Sequence, residues 1–482
     1  MRVLHLSFVD WILVAVYFLT LLALGLRGTL RGASGTRSAE EFLLNGRKLT
    51  LPAFVAALVS TWYGGILGVG EYSYLYGLSN WFVFGLPYYV FALIFALFLA
   101  RKVRESMAYS IPDQLASSFG SRVGIAGSLL VFFMSSPAPY VLMQAVLLQV
   151  VTGWPLPLCL LLGTAASVLY MEVGGFRALV RIDLLQFGLM FAGFIVLLAF
   201  LIPVHGIVPF IPEHVAPSHL TPTGGNSWQY VIVWFFIALW TLVAPQFHQF
   251  TLSAESPRTA KRGIMFSILF WTMFDGLTTL SGLYARALLP DLAQPTMAFP
   301  ALGELVLPPA AKGLFFLGMV ATVMSTTDGL TFIAASTFGR DLLAPLSGRR
   351  SDRDIMTFTR AGVLFTAAAA IGGALLFPSV IRLWYVIGTL FIPGLLLPVL
   401  SSYSARYRVS PAWTLAMMLA GFFFSLLWFL WGLAHATGDA AQYPFGIEPM
   451  YAGLAASVLC FLAGAAIPSS SSPSQGRVHR AP

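Results

Sequence analysis

The chain has 482 residues, of which 58% are hydrophobic and 10% are charged, and its formal net charge at pH 7 is +8. Soluble domains have about 25% charged residues, so a chain this long with so little charge cannot cover a water-facing surface and must face lipid. Its basic residues lie in short gaps between apolar segments, where the positive-inside rule places them, so the net charge does not indicate a nucleic-acid partner.

A membrane-spanning helix needs about 20 mostly apolar residues. The period-two alternation that marks the strands of a membrane barrel is absent, which leaves helices as the structure that satisfies the backbone in lipid. We therefore predict an all-α integral membrane protein that is embedded in the lipid bilayer. The thirteen predicted spans are 8–27, 50–76, 79–101, 122–152, 154–171, 183–204, 227–250, 262–288, 311–338, 358–377, 380–402, 411–433 and 449–467.

The first span differs from a signal peptide in where its charges lie. Asp10 interrupts it early, and Arg27, Arg31 and Arg37 follow it, whereas a signal peptide has its positive charge before the apolar stretch. We predict a retained span with the N-terminus outside. The segment 205–227 then lies outside and contains no Lys or Arg, as the positive-inside rule requires. The chain is thus predicted to be a multi-pass protein of the inner (plasma) membrane with a cytoplasmic C-terminus.

Two of the predicted spans are interrupted. The stretch 60–71 contains four glycines, each of which costs a helix about 1 kcal/mol relative to Ala, and Pro245 removes a helical hydrogen bond within the stretch 240–248. Breaks at corresponding places in two halves of a chain indicate a transporter binding site near the middle of the bilayer. The alternative is that the glycines only permit close packing of helices.

Several motifs, in the right order, resemble those of the sodium:solute symporters, a family that includes bacterial proline and sialic acid transporters and the sodium/glucose cotransporters. The resemblance extends over nearly the whole chain and is strongest around Met324 to Asp328. The motifs lie at 40–47, 110–115, 174–186, 324–328, 336–337 and 340–341.

The resemblance implies an inverted repeat of five plus five helices (LeuT-like), preceded by one extra helix and followed by two. The implied units are an extra first span with a cytoplasmic loop (1–48), a first five-helix repeat (49–205), an outer loop (206–226), a second five-helix repeat (227–402), two C-terminal spans (403–467) and a disordered cytoplasmic tail (468–482).

The resemblance also implies a sodium site between the first and eighth core helices. Carried over to this chain, the carbonyls of Trp62, Gly65 and Thr322 and the hydroxyls of Ser325 and Thr326 would hold the ion. Sodium is a hard cation and prefers several oxygen ligands. The alternative for an adjacent Ser-Thr pair is a hydrogen bond from each hydroxyl back to the preceding helical turn.

A second site for a cation or a proton is predicted from Asp183, Ser325 and Asp328. An acidic residue within a span usually marks a path for ions or protons. Asp183 is near the inner end of its predicted span, so solvation there is an alternative. Related subfamilies usually have a hydroxyl residue at the position of Asp328, which leaves sodium, a proton and the stoichiometry open. Asp275 is also intramembrane, and its sequence context does not separate a helix–helix contact from a cavity residue.

The solute site implied by the resemblance lies among the first, third, sixth and tenth core helices. Because no Lys or Arg lies at mid-depth in these helices, a neutral or zwitterionic solute fits better than a dianion. The residues that fit are Tyr63, Gly64, Glu71, Tyr140, Gln144, Trp240 and Gln246, together with Ser135 and Ser136.

We therefore predict a sodium-coupled secondary symporter that imports a small organic solute by alternating access, with sodium as its ion and no obligate protein partner evident. A proton-coupled symporter of the same fold is the first alternative, and a passive facilitator or channel is the second. An enzyme is disfavoured because no catalytic pair of His or carboxylate residues is evident, and no phosphate-binding loop indicates ATP as the energy source.

Overall fold

The computed structural model of the chain describes residues 4–30, 38–377, 379–436 and 441–467. Over these residues the fold is helical, and its extended pairing is one isolated parallel bridge between Leu49 and Ala254. The predicted disordered tail, 468–482, lies outside the described residues.

The helices that form the spans are numbered here in chain order. They are α1 (Phe8–Leu30), α2 (Leu51–Trp62), α3 (Ile66–Tyr76), α4 (Trp81–Glu105), α5 (Ser121–Met134), α6 (Ala138–Thr152), α7 (Leu156–Gly174), α8 (Phe176–His205), α9 (Trp228–Ile237), α10 (Trp240–Val243), α11 (Pro245–Ser253), α12 (Pro257–Leu288), α13 (Ala311–Ser336), α14 (Asp352–Leu376), α15 (Val380–Ser402), α16 (Pro411–Ala434) and α17 (Pro449–Ala466).

Each predicted span coincides with helical segments, although not every one is long enough to cross a bilayer alone. With α5 and α6 counted as one segment and α9 to α11 as another, eleven segments of the described chain are long and apolar enough to cross. The bent pair α2 and α3 makes a twelfth. The predicted span 154–171 corresponds to α7, whose described apolar part, Leu156–Val168, is shorter.

Serine and proline mark the starts of several spans. Ser256 precedes Pro257, and its hydroxyl accepts the amide of Thr259 at 3.0 Å at the start of α12. Ser410 likewise precedes Pro411 at the start of α16. A serine N-cap satisfies an amide that the helix leaves unpaired, and proline at the first helical position has no amide to satisfy.

Both predicted interruptions are confirmed. Helix α2 ends at Trp62 and α3 begins at Ile66, with a bend of 63° between them. Helix α10 ends at Val243, Ala244 is extended with a ψ of 119°, and Pro245 begins α11. Glycine and proline at these places free backbone groups inside the bundle, where side chains or ligands must satisfy them.

The start of the first broken span and the end of the second are joined through their backbones. The amide of Leu49 donates to the carbonyl of Ser253 at 3.0 Å, and the amide of Glu255 donates to the carbonyl of Leu49 at 3.0 Å. The buried guanidinium of Arg47 donates to the carbonyls of Leu252 at 3.2 Å and Met107 at 2.9 Å. The start of α2 and the end of α11 are therefore held together.

Helix α13 occupies the centre of the bundle, and nearly all of its side chains are buried. It packs closely on α8 because Gly193 and Gly318 face each other, and a β-carbon on Gly193 would lie 3.1 Å from the Cα of Gly318. Small residues at such a contact let two membrane helices approach closely. This approach brings the polar residues of the two helices together.

Candidate functional site: an oxygen cluster beside an aromatic cavity

The break between α2 and α3 lies directly against α13. Gly64 has no room for a β-carbon because Thr326 fills that position. The hydroxyl of Thr326 donates to the carbonyl of Ser60 at 3.3 Å and lies 3.4 Å from the carbonyl of Thr322. Carbonyl and hydroxyl oxygens from both helices therefore meet at the level of the break. The carbonyl of Gly65 accepts the amide of Val69 at 2.9 Å as α3 begins.

Next to this group, α8 contributes a buried acid. Ser325 donates to a carboxylate oxygen of Asp183 at 2.7 Å, and the hydroxyl of Thr61 lies 3.3 Å from that of Ser325. Asp183 is 4% exposed, so the alternative that it is solvated at an inner helix end is wrong. Helix α8 begins at Phe176, about two turns before Asp183, which places the acid inside the bundle.

Asp328 lies on α13 about one turn after Ser325 and is 1% exposed. Helix α1 covers this side of the bundle, since the side-chain amide of Gln186 donates to the hydroxyl of Tyr17 at 3.0 Å. The hydroxyl of Ser325 is directed at Asp183 and not at the preceding turn. We call Thr61, Asp183, Ser325, Thr326 and Asp328, with the carbonyls of Ser60 and Thr322, the oxygen cluster.

A cavity of about 130 Å³ lies beside the break and is walled mainly by aromatic rings. Its aromatic lining comprises Trp62, Tyr63, Phe84, Tyr88, Tyr89, Tyr140, Trp234, Trp240, Trp271, Trp384 and Tyr385. Its polar lining comprises Ser136, Gln246 and Asp275. We call this space the aromatic cavity.

Most of the residues predicted for the solute site line this cavity. Tyr63, Tyr140, Trp240 and Gln246 are among them. The side-chain oxygen of Gln246 is buried and accepts no hydrogen bond from the described residues, so it is available to a ligand.

Four other predicted solute residues do not line the cavity. Ser135 is fully buried outside its lining. Gly64 faces Thr326, and Glu71 is half-buried on α3, beyond the lining residue Val69. The side-chain amide of Gln144 donates to the carbonyl of Gly163 at 3.0 Å on α7, so its hydrogen bonding is used between helices.

Asp275 lies in the cavity wall. Its sequence context had not separated a helix–helix contact from a cavity residue. Its two carboxylate oxygens accept hydrogen bonds from the phenols of Tyr63 and Tyr89, and it is 2% exposed. Trp384 was not predicted for the site. Its ring fills the space beside Gly65, where a β-carbon would collide with it. A tryptophan near the end of a span usually indicates an interface anchor, so the sequence held no separate signal for this contact.

Comparisons with known proteins bear on the family and the fold of the chain. The sequence profile of the sodium:solute symporter family matches residues 42–419, which confirms the resemblance found in the sequence. The chain is 27% identical to the osmoregulated proline transporter OpuE of Bacillus subtilis (strain 168), with 92% of this chain and 94% of the relative covered. It is also 27% identical to the sodium/pantothenate symporter of Escherichia coli (strain K12), with 94% of each covered.

Solved structures confirm the fold class. The chain matches a substrate-bound, outward-open Na⁺-coupled sialic acid symporter with a TM-score of 0.77 at 16% identity, over 95% of this chain and 98% of the other. It matches Mhp1, a nucleobase-cation-symport-1 family transporter, with a TM-score of 0.60 at 11% identity, over 88% and 94% of the two chains.

Proposed function

Because the chain belongs to the sodium:solute symporter family, we propose that it moves a small organic solute across the inner membrane together with sodium, by alternating access. The N-terminus lies outside and the C-terminus in the cytoplasm in this proposal, as the loop charges predict. In the proposed arrangement the oxygen cluster binds sodium and the aromatic cavity binds the solute.

The observation that carries this proposal is the position of one short segment, residues 63–65, between the two sites. Gly64 contacts Thr326 of the oxygen cluster, whereas Tyr63 and Gly65 line the aromatic cavity. A ligand that orders the segment from one side changes the binding site on its other side. Such coupling is reciprocal, so each ligand raises the affinity for the other.

The chemistry of the oxygen cluster favours sodium over a proton. Sodium prefers several oxygen ligands, and the cluster supplies hydroxyls from Thr61, Ser325 and Thr326 beside the carboxylate of Asp183. Proton coupling would need only one titrating acid. A passive facilitator would need no ion-binding cluster beside its solute site.

The lining of the cavity disfavours an anionic solute, since the lining residues include no Lys, Arg or His, and a neutral or zwitterionic solute is therefore part of the proposal. Of the two relatives, one is named for proline and the other for pantothenate. These solutes differ in charge, so the chemistry of the cavity and not a relative's name is the guide to the solute.

Sodium binding to the purified protein tests the proposal without knowledge of the solute. Trp62 and Trp271 lie at the break and in the cavity wall, so their fluorescence reports on residues 63–65. We expect a saturable change when sodium replaces potassium at constant ionic strength. Identical fluorescence and identical melting temperatures in the two salts would contradict sodium coupling.

A further inference from the structure

The aromatic cavity is lined by an acid, Asp275, that forms no ion pair with the described residues. Asp275 accepts hydrogen bonds from Tyr63 and Tyr89, which are neutral donors. Two hydrogen bonds from hydroxyl groups stabilise a carboxylate in its charged form, but they leave its net charge unchanged. A charge in the membrane interior is costly unless it is paired.

Within the described part of the chain, no basic side chain forms an ion pair with Asp275. The ion pairs among the described residues join other acids, and none includes this one. The wall of the cavity likewise has no Lys, Arg or His. A positive partner for the ionised form of Asp275 would therefore have to be a bound molecule.

The rest of the wall is suited to a cation that makes few hydrogen bonds. Trp62 packs edge to face on Tyr88, and Tyr140 packs at a tilt on Trp384, so each pair of rings forms an aromatic patch in the cavity wall. Tryptophan and tyrosine faces attract a cation within about 6 Å of the ring centroid, and aromatic walls are a known way to bind quaternary ammonium groups.

A primary ammonium has three donors that need acceptors. The aromatic faces offer no such acceptors, and the polar lining offers few, namely Ser136, the side-chain oxygen of Gln246 and the lone pairs of Asp275 that its two phenol partners leave free. An alkylated ammonium needs fewer acceptors and presents methyl groups to the rings. The volume of about 130 Å³ is below the roughly 300–1,000 Å³ of pockets that hold drug-sized ligands, so the ligand is small.

We propose that the solute carries an alkylated ammonium group, which binds among the aromatic rings of the cavity with Asp275 as its counter-charge. This inference rests on the proposed transport function. It replaces the neutral or zwitterionic class with solutes that have a positively charged nitrogen, either zwitterions or simple cations.

A matched pair of probes tests the inference on the wild-type protein. Choline and 3,3-dimethyl-1-butanol have nearly the same shape and differ by the charge of one central atom. We expect calorimetric titration of the purified full-length protein in sodium chloride to show choline or glycine betaine binding at least tenfold more tightly than the neutral alcohol. The inference would be overturned if the alcohol bound at least as tightly as both charged probes. It would also be overturned if neither charged probe bound.

Two aspartate variants locate the charge. Asp275→Asn should reduce the affinity for the charged probe at least tenfold and remove most of its advantage over the alcohol. Asp10→Asn is the control. Asp10 is also buried, but it accepts hydrogen bonds from the amides of Ala310 and Gly313 and does not line the cavity. This control variant should leave the preference unchanged. An unchanged preference in Asp275→Asn would overturn the assignment, and the wild-type probe pair remains decisive if this variant does not fold.

The sodium titration on the same samples separates this inference from the proposed function. A fluorescence response to sodium without a preference for charged probes would overturn the ammonium inference alone. A preference for charged probes without any response to sodium would overturn sodium coupling and leave the ammonium inference intact. Tighter binding of glycine betaine than of choline would assign a zwitterion, and the reverse order would assign a simple cation.

Discussion

Asp183 and Asp275 lie on α8 and α12, two spans that pack against each other, and both are almost fully buried. The side chains that surround the two acids differ in size. Asp183 has the small hydroxyls of Ser325 and Thr61 nearby, whereas Asp275 has two phenols and lies at the edge of a ring-lined cavity.

In the functions proposed for the two acids, the neighbouring groups, more than burial, determine which cation each one binds. Short hydroxyl side chains and freed carbonyls can close around a small, hard ion. Rigid rings cannot close in this way, and they leave space for a larger cation that binds through ring faces. The predictions below test whether Asp183 acts in sodium binding and Asp275 in solute binding.

The largest effect is expected from Gly64→Ala, which adds a methyl group where Thr326 already lies. Overpacking a close contact typically costs about 1–3 kcal/mol, and here it would push the break away from the oxygen cluster. We expect the fluorescence response to sodium to be lost and the melting temperature to fall. Gly188→Ala is the control, since no atom lies within 4 Å of its new β-carbon. A normal sodium response in Gly64→Ala would separate the break from the ion site.

The next effect is expected from removing two hydroxyls of the oxygen cluster. The double variant Ser325→Ala with Thr326→Ala should raise the apparent sodium constant at least about tenfold, which corresponds to about 1.4 kcal/mol. Sodium titration by fluorescence measures the change. Thr357→Ala is a suitable control because this hydroxyl donates to the carbonyl of Arg353 on the exposed start of α14. An unchanged sodium constant in the double variant would place the ion elsewhere.

A crossed pair of variants tests the division between the two acids directly. Asp183→Asn should raise the sodium constant by up to about tenfold, since it removes the charge beside Ser325. Asp275→Asn should change that constant less than it changes binding of a charged solute. Equal effects of both variants on sodium and on solute would show that the two acids form one coupled unit.

Asp328→Asn addresses the identity of the coupling ion and should have a smaller effect. A carboxylate beside a bound sodium is held in its charged form, so we expect a few-fold weaker sodium affinity and an unchanged dependence on pH between about 6 and 8. Initial uptake of a working solute into proteoliposomes, measured against sodium and pH, checks this. Loss of the pH dependence with exchange of solute retained would instead identify a proton site.

The smallest effect on solute binding is expected from Gln144→Ala. This side chain is bonded to α7 through the carbonyl of Gly163 and does not line the cavity. Removing a buried hydrogen bond costs about 0.5–1.5 kcal/mol, so thermal stability should fall while solute affinity changes less than about twofold. A tenfold loss of solute affinity with unchanged stability would place Gln144 in the solute site.

The spans and their breaks could be predicted because their signals are local. Apolar length, the glycines at 64 and 65 and Pro245 act on the backbone where they occur. The surroundings of Asp183 could not be predicted, because the helix begins about two turns earlier than the apolar stretch and turns the acid inward. The contact between Trp384 and Gly65 depends on the rotation and tilt of two helices that are far apart in the sequence. It could not be predicted, because an error of one residue in a helix start turns every side chain by about 100°.

The backbone bonds between Leu49 and the end of α11 have a mechanical consequence. A displacement of α2 along its axis would break the bonds from Leu49 to Ser253 and Glu255 and pull Arg47 from its carbonyl partners. We therefore expect the two broken spans to move together at the end that they share. A movement that narrows the aromatic cavity by bringing the break towards α15 would meet the ring of Trp384, which already lies against Gly65.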